Sequence, residues 1–187
     1  MASANPHKVI EIAQLLDGIE IVARPSMLGE VVEDGATLYE NARLKALAVC
    51  EFAKLAAVAD DTGLEVDALD GAPGVRSARY SGDEATDPEN IARLLEALSS
   101  IEMAGERTAR FRTVALVRFC DGRELRADGV VEGTIAFAPS GSGGFGYDPV
   151  FIPVDGDGRT FAEMSDVEKN SISHRGRAFA ELARLLS

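Results

Sequence analysis

Residues 35–59 place the tightest limit on how this chain can fold. GATLYENARLKALAVCEFAKL repeats apolar side chains at the helical period, with Tyr39, Ala42, Ala46, Val49, Cys50 and Ala53 able to share one face. Thr37 and Glu40 have the spacing of a capping box at its start. LAAVA (55–59) follows at once and reads as a buried strand. A helix that runs straight into such a strand calls for a sheet with helices packed on it. The run then ends on Asp60-Asp61 and a glycine-rich turn, ADDTGLEVDALDGAPG. Two adjacent acids repel each other and gain nothing from burial. A solvated turn, a helix cap or a site that holds a cation would each explain them.

The remaining elements alternate in the same way. Residues 8–16 read as a helix and 19–23, IEIVA, as a short strand. TDPENIARLLEALSS is a second clear helix, with Thr86 and Glu89 at its start and Ile91, Leu94, Leu95 and Leu98 on one face. Residues 109–119 and 124–138 read as strands joined by a turn at Asp121-Gly122, and VFIPV (150–154) as a further apolar stretch. The last helix presents Phe179, Leu182, Leu185 and Leu186 for packing. There is no internal repeat, long linker or low-complexity tract. The expectation is one domain over 1–187, α/β or α+β, built on a mixed sheet.

Charge narrows the functional classes. The net charge of −12 argues against a nucleic-acid-binding surface, which would show a basic stripe. It leaves room for a small phosphorylated ligand, because an acidic site can recruit a divalent metal to neutralise it. No apolar stretch approaches the roughly 20 residues of a membrane span. MASANPHK lacks the apolar segment of a signal peptide. Cys50 and Cys120 make neither a disulfide framework nor a zinc site, so a reducing cytoplasm is the expected compartment.

Four stretches carry more polar or glycine content than packing requires. In SANPHK, Asn5-Pro6 makes a turn and Lys8 opens a helix. Backbone N–H groups at a helix start, together with an ammonium, can cradle phosphate, although a plain cap with a surface lysine has the same sequence. Glu40 is explained by its capping box, but carboxylates from two elements, such as Glu40 and Asp61, are also what Mg²⁺ uses. The loop GSGGFGYD (141–148) joins glycines to two aromatic side chains, Phe145 and Tyr147, suited to stacking on a nucleobase. Lys169, His174 and Arg175 gather cationic or titratable groups within one short span, where a solvated helix start is the plainer alternative. Taken together, these supply cations, acids for a metal, an aromatic platform and a glycine loop, as a nucleoside polyphosphate site requires.

As an ordered series, SANPHK, EDGATLYENARLKA, ADDTGLEVDALDGAPGVRSARYSG, GGFGYDPVF and EKNSISHRG closely resemble the motifs of the inosine triphosphate pyrophosphatase family, the dITP/XTP diphosphatases. They run from residue 3 to residue 176 in the family's order and at similar spacing. The resemblance implies an elongated two-lobed α/β fold with a long curved mixed sheet flanked by helices, a nucleotide between the lobes, and a homodimer. It implies Mg²⁺-dependent hydrolysis of dITP, ITP and XTP to the monophosphate and pyrophosphate. Carried over residue by residue, Ser3, Asn5 and Lys8 contact phosphates. Glu40 and Asp61 hold the metal, Asp61 also activates water, and Asp60 supports them. Thr62 lies beside the substrate, Phe145, Gly146, Tyr147 and Asp148 form the base loop, and Lys169, His174 and Arg175 complete the pocket. A pyrophosphatase for other modified nucleotides, or a nucleotide-binding regulatory module without turnover, would use many of the same residues. The family pattern also has a strand of several apolar residues before its first motif. Only Met1 and Ala2 stand there in this sequence, which is expected to weaken the support beneath Ser3, Asn5 and Lys8.

Overall fold

In the computed structural model, which describes residues 1–3, 5–16 and 18–187, the strand begun by LAAVA does not stop at the acid pair. β1 spans Ala57–Val66, so Asp60 and Asp61 lie inside it and the chain stays extended through Thr62, Gly63 and Leu64. This corrects the expectation that the pair closes a strand. A polar residue can remain in a paired, buried strand when its charge finds a partner, and both acids do.

β1 belongs to a five-stranded sheet of order β2-β1-β3-β4-β5, with β2 at Pro73–Gly74, β3 at Thr108–Arg118, β4 at Glu124–Ile135 and β5 at Phe151–Pro153. β2 pairs antiparallel with β1, Leu64 opposite Gly74, and β5 pairs antiparallel with β4, Thr134 opposite Ile152. A tight turn at 119–123 joins β3 to β4, closed by the Phe119 N–H donating to the Arg123 carbonyl at 2.9 Å.

Among the described residues, five α-helices complete the architecture: α1 (Pro6–Leu15), α2 (Leu38–Ala53), α3 (Asp87–Ala97), α4 (Asp166–Ile172) and α5 (His174–Leu186). The capping boxes of α2 and α3 form as the spacing predicts, Thr37 with Glu40 and Thr86 with Glu89. The buried face of α2 differs from the apolar reading. It consists of Leu38, Asn41, Ala42, Lys45, Ala46, Val49 and Cys50, so two polar side chains point inward. Residues 19–23 are not a strand. A strand needs a partner along its length, and the hydrogen bonds described there form no ladder: the Met1 ammonium donates to the Val22 carbonyl at 2.8 Å and the Ile19 N–H turns back to the Leu16 carbonyl at 3.2 Å. Met1 and Ala2 are nevertheless buried, and the Ala2 N–H donates to the Val58 carbonyl at 2.8 Å, which ties the chain start to β1.

By internal contacts the chain forms two compact units, neither of them a continuous stretch. Unit 1 comprises Met1–Asp61, Thr113–Gly129 and Arg175–Ser187; unit 2 comprises Thr62–Arg112 and Val130–His174. β1, β3 and β4 each contribute to both units. The core of unit 1 gathers Ile12, Leu16, Val58, Ala115, Val117, Phe179 and Leu182. That of unit 2 gathers Leu64, Val66, Leu94, Phe111, Tyr147, Phe151 and Phe161. Each fully buried Phe or Leu contributes about 1.5–3 kcal/mol through the apolar surface it removes from water.

Candidate active site

Successive side chains of a strand point to opposite faces, and this separates the two acids of β1. Asp60 Oδ2 lies 3.2 Å from Lys8 Nζ and 3.4 Å from Arg175 Nε. Arg175 is held from its other end by Glu11, Nη1 to Oε2 at 2.6 Å. Asp61 Oδ1 meets Lys45 Nζ at 2.7 Å, Asn41 Nδ2 approaches Oδ2 at 3.4 Å, and the same ammonium reaches Glu33 Oε2 at 2.9 Å. Asp60 thus joins β1 to the first turns of α1 and α5, whereas Asp61 joins it to α2.

The two carboxyl groups shift in opposite directions. Burial would raise the Asp60 carboxyl, but Lys8, Arg175 and Lys45 overcome it and hold the group well below the usual carboxylate range. For Asp61 burial prevails over the pull of Lys45 and Lys8, with Glu33 adding to the upward shift. Burial would lower the Lys45 ammonium; Asp61, Asp60 and Glu33 hold it above its ordinary value. Lys8 is pushed down by burial and by Arg175 and Lys45, against the opposing pull of Asp60.

The start of α1 is closed by local hydrogen bonds. The Asn5 N–H donates to Ser3 Oγ at 3.2 Å, and the Asn5 carbonyl accepts from Val9 N–H at 3.1 Å as the helix begins. Ala4 of this motif lies outside the described residues. Glu40, exposed at the start of α2, accepts the Ala36 and Thr37 N–H groups on Oε2 at 2.6 and 3.1 Å. Thr62 follows Asp61 in β1 on the Asp60 side.

Unit 2 holds the glycine loop. Asp148 Oδ2 accepts both the Phe145 N–H at 2.8 Å and the Lys169 ammonium at 2.7 Å, with both side chains of the ion pair buried. Gly144, with φ +68°, is required here, because a Cβ would run into the Asp148 carboxylate. The Gly146 N–H donates to Asp87 Oδ2 at 2.7 Å. Lys169 Nζ sits 4.8 Å from the centre of the half-buried Phe145 ring. His174 is buried against Phe111, ring centres 4.5 Å apart and 19° from parallel.

Two sequence expectations change. Tyr147 is not an open stacking face: it lies in the core of unit 2 and its hydroxyl donates to the Ser77 carbonyl at 2.9 Å, so burial pushes its phenol up. A ring that size gains more from the core than from a wet loop, which leaves Phe145 as the aromatic face of the segment. The cluster Lys169, His174 and Arg175 is also divided. Lys169 and His174 belong to unit 2, and Arg175 belongs to unit 1 with Asp60 and Glu11. The helix break between α4 and α5 is the single residue Ser173, and it sends the neighbouring side chains to different partners. Sequence reasoning missed Glu11, Glu33, Asn41 and Lys45. For Asn41 and Lys45 a signal existed, since they stand four residues apart beside Ala42 and Ala46 on the helix face that must be buried.

Unit 1 has a donor set suited to a divalent cation. Asp60, Asp61, Glu11 and Glu33 set four carboxylates against the three cations Lys8, Lys45 and Arg175, before Glu40 is counted. Among the described residues no three acids, histidines or cysteines form a ready cage. Mg²⁺ does not require one, because it takes one or two carboxylates and completes its octahedron with waters and substrate phosphates.

A model of the Ham1 family matches residues 1–185. The dITP/XTP pyrophosphatase of Methylococcus capsulatus is 50% identical across 100% of this chain and 94% of its own length; that of Porphyromonas gingivalis is 48% identical across 99% and 95%. The fold matches a solved HAM1 protein from Coxiella burnetii with a TM-score of 0.87 at 42% identity, covering 99% of this chain and 95% of that one. It also matches a nucleoside-triphosphatase / dITP/XTP pyrophosphatase from Mycobacterium abscessus with a TM-score of 0.75 at 43% identity, covering 100% and 97%. With full-length identity on this scale and a family match over nearly every residue, the chain belongs to the Ham1 family.

Proposed function

We propose that this protein hydrolyses the non-standard purine nucleoside triphosphates dITP, ITP and XTP to monophosphate and pyrophosphate, with Mg²⁺ as its metal, and so cleanses the nucleotide pool. The observation that carries the reading is the pair Asp60-Asp61, two buried carboxylates of one strand committed to different cations, in a chain half identical to a dITP/XTP pyrophosphatase.

In this reading Ser3, Asn5 and Lys8 bind phosphate oxygens at the start of α1. Glu40 and Asp61 would hold Mg²⁺, which would supply charge neutralisation on the triphosphate. Asp61 takes the proton of the water that attacks the α-phosphorus, and pyrophosphate leaves. Lys45 and Asn41 orient the Asp61 carboxylate, Arg175 and Glu11 position Asp60, and Thr62 lies beside the substrate.

The glycine loop supplies base recognition. Phe145 stacks on the purine, Gly146 lets the backbone approach it, and Tyr147 anchors the loop through the core. Asp148 aims Lys169, and Lys169 and His174 favour the 6-oxo group that hypoxanthine and xanthine carry in place of the adenine amine. A site built on such donors rejects the wrong pattern by large factors. A homodimer acting in the cytoplasm is part of the same reading, and the two free cysteines fit a reducing compartment.

The test is pyrophosphate release from dITP, ITP, XTP, GTP and ATP, with Mg²⁺ and with chelator, for wild type and Asp61→Asn. Release from the first three, dependent on Mg²⁺ and reduced at least ~100-fold in the variant, supports the proposal. Tight nucleotide binding without turnover would instead identify a regulatory module.

A further inference from the structure

The two cysteines, 70 residues apart in sequence, are neighbours in unit 1. Cys50 lies in the last turn of α2, where its carbonyl accepts the capping N–H of Lys54, and it is buried. Cys120 lies in the turn between β3 and β4 and is exposed. Their sulfurs are 4.0 Å apart, with both thiols reduced. A disulfide needs the sulfurs at about 2.05 Å, so side-chain rotation and a small shift of an exposed turn would close the gap.

We propose that Cys50 and Cys120 form a redox modification site, closed to an intramolecular disulfide by exchange with a small-molecule disulfide of the glutathione type. The order of attack follows from exposure. The Cys120 thiolate attacks one sulfur of the small disulfide, forms a mixed disulfide and releases one small thiol. Cys50 then loses its proton and attacks the Cys120 sulfur, which releases the second small thiol. The protein pair gives up two protons and two electrons, and the small disulfide is reduced to two thiols. Burial pushes the Cys50 thiol up, so it is the poorer first nucleophile and suits the second, intramolecular step. The product ties the C-terminal turn of α2, the helix of Asn41 and Lys45, to the β3–β4 hairpin.

The experiment treats the reduced full-length protein with glutathione disulfide, then applies thiol titration under denaturing conditions, non-reducing peptide mass spectrometry and thermal unfolding. The expected result is loss of both thiols, a Cys50–Cys120 cross-linked peptide within one chain, and a Tm raised by roughly 5 °C or more, all reversed by dithiothreitol. Cys50→Ala should stop at a glutathionyl adduct on Cys120. Three results would overturn the proposal: wild type stopping at that same adduct with Cys50 still titratable, cross-links only between copies, or no reaction at either thiol. None of these readouts depends on the catalytic reading.

Discussion

The Lys45 ammonium lies 2.7 Å from Asp61 and 2.9 Å from Glu33, so one lysine on the buried face of a helix pairs with two acids drawn from different parts of unit 1. The Lys45–Asp61 contact is the more enclosed of the two, with each side chain about 10% exposed. Breaking a pair of this kind strands a charge in low dielectric, which costs more than the pair itself contributes.

Lys45→Met should therefore destabilise the protein by about 3 kcal/mol, measured by urea unfolding at neutral pH. Adding Asp61→Asn to that variant should recover part of the loss, because the stranded carboxylate is removed. A cycle with no coupling between the two positions would refute the pairing.

Asp60 predicts a pH dependence of defined sign. Its folded-state pKa lies below the ordinary 3.8, so its stabilisation is complete above that value and is lost as pH falls towards the folded value. Urea unfolding of wild type and Asp60→Asn should show a constant gap from pH 7 to about pH 5. Below pH 4 the gap should narrow by up to ~1.4 kcal/mol per pH unit. A gap that widens with acid would reverse the assignment.

Gly144→Ala should disturb the base loop from within. Its φ of +68° disfavours a side chain, and the new methyl would collide with the carboxylate that holds both Phe145 N–H and Lys169. The expected cost is about 1–3 kcal/mol of stability. KM for dITP should rise about tenfold with kcat changed much less, as fits lost binding rather than lost chemistry. Unchanged KM would separate this loop from the substrate.

The two aromatic residues of the loop should respond differently. Phe145→Ala should weaken nucleotide binding by about 1–3 kcal/mol, the range for removing a stacking face. Tyr147→Phe keeps the core ring and loses only the hydrogen bond to Ser77, so it should cost about 1 kcal/mol of stability and leave substrate preference intact. Calorimetry of nucleotide binding beside thermal unfolding distinguishes the two roles. Equal effects on binding would show that Tyr147 touches the base after all.

Much of the fold was legible because local rules decide it. Thr37 and Glu40, and Thr86 and Glu89, start helices through contacts spanning three residues, so sequence spacing alone reveals them. The strand at 19–23 failed for the converse reason: its apolar residues have β propensity, but a strand exists only if another lies beside it, and propensity carries no information about that neighbour.

The site divides along the same line. Sequence determined the residue types: paired acids before a glycine turn, a glycine loop with aromatics, and cations near both ends of the chain. Tertiary structure decided their partners. It placed Asp60 and Asp61 within one strand, where a two-residue repeat sends neighbouring side chains to opposite faces. Asp60 thereby meets Lys8 and Arg175 from the two ends of the sequence, and Asp61 meets Lys45 from a helix between them. It also put Tyr147 into the core and left Phe145 half-exposed, although only Gly146 separates them in a single loop. A charge or a ring is written in the chain, but which opposite charge neutralises it, and how much water it keeps, depends on segments brought together only by folding.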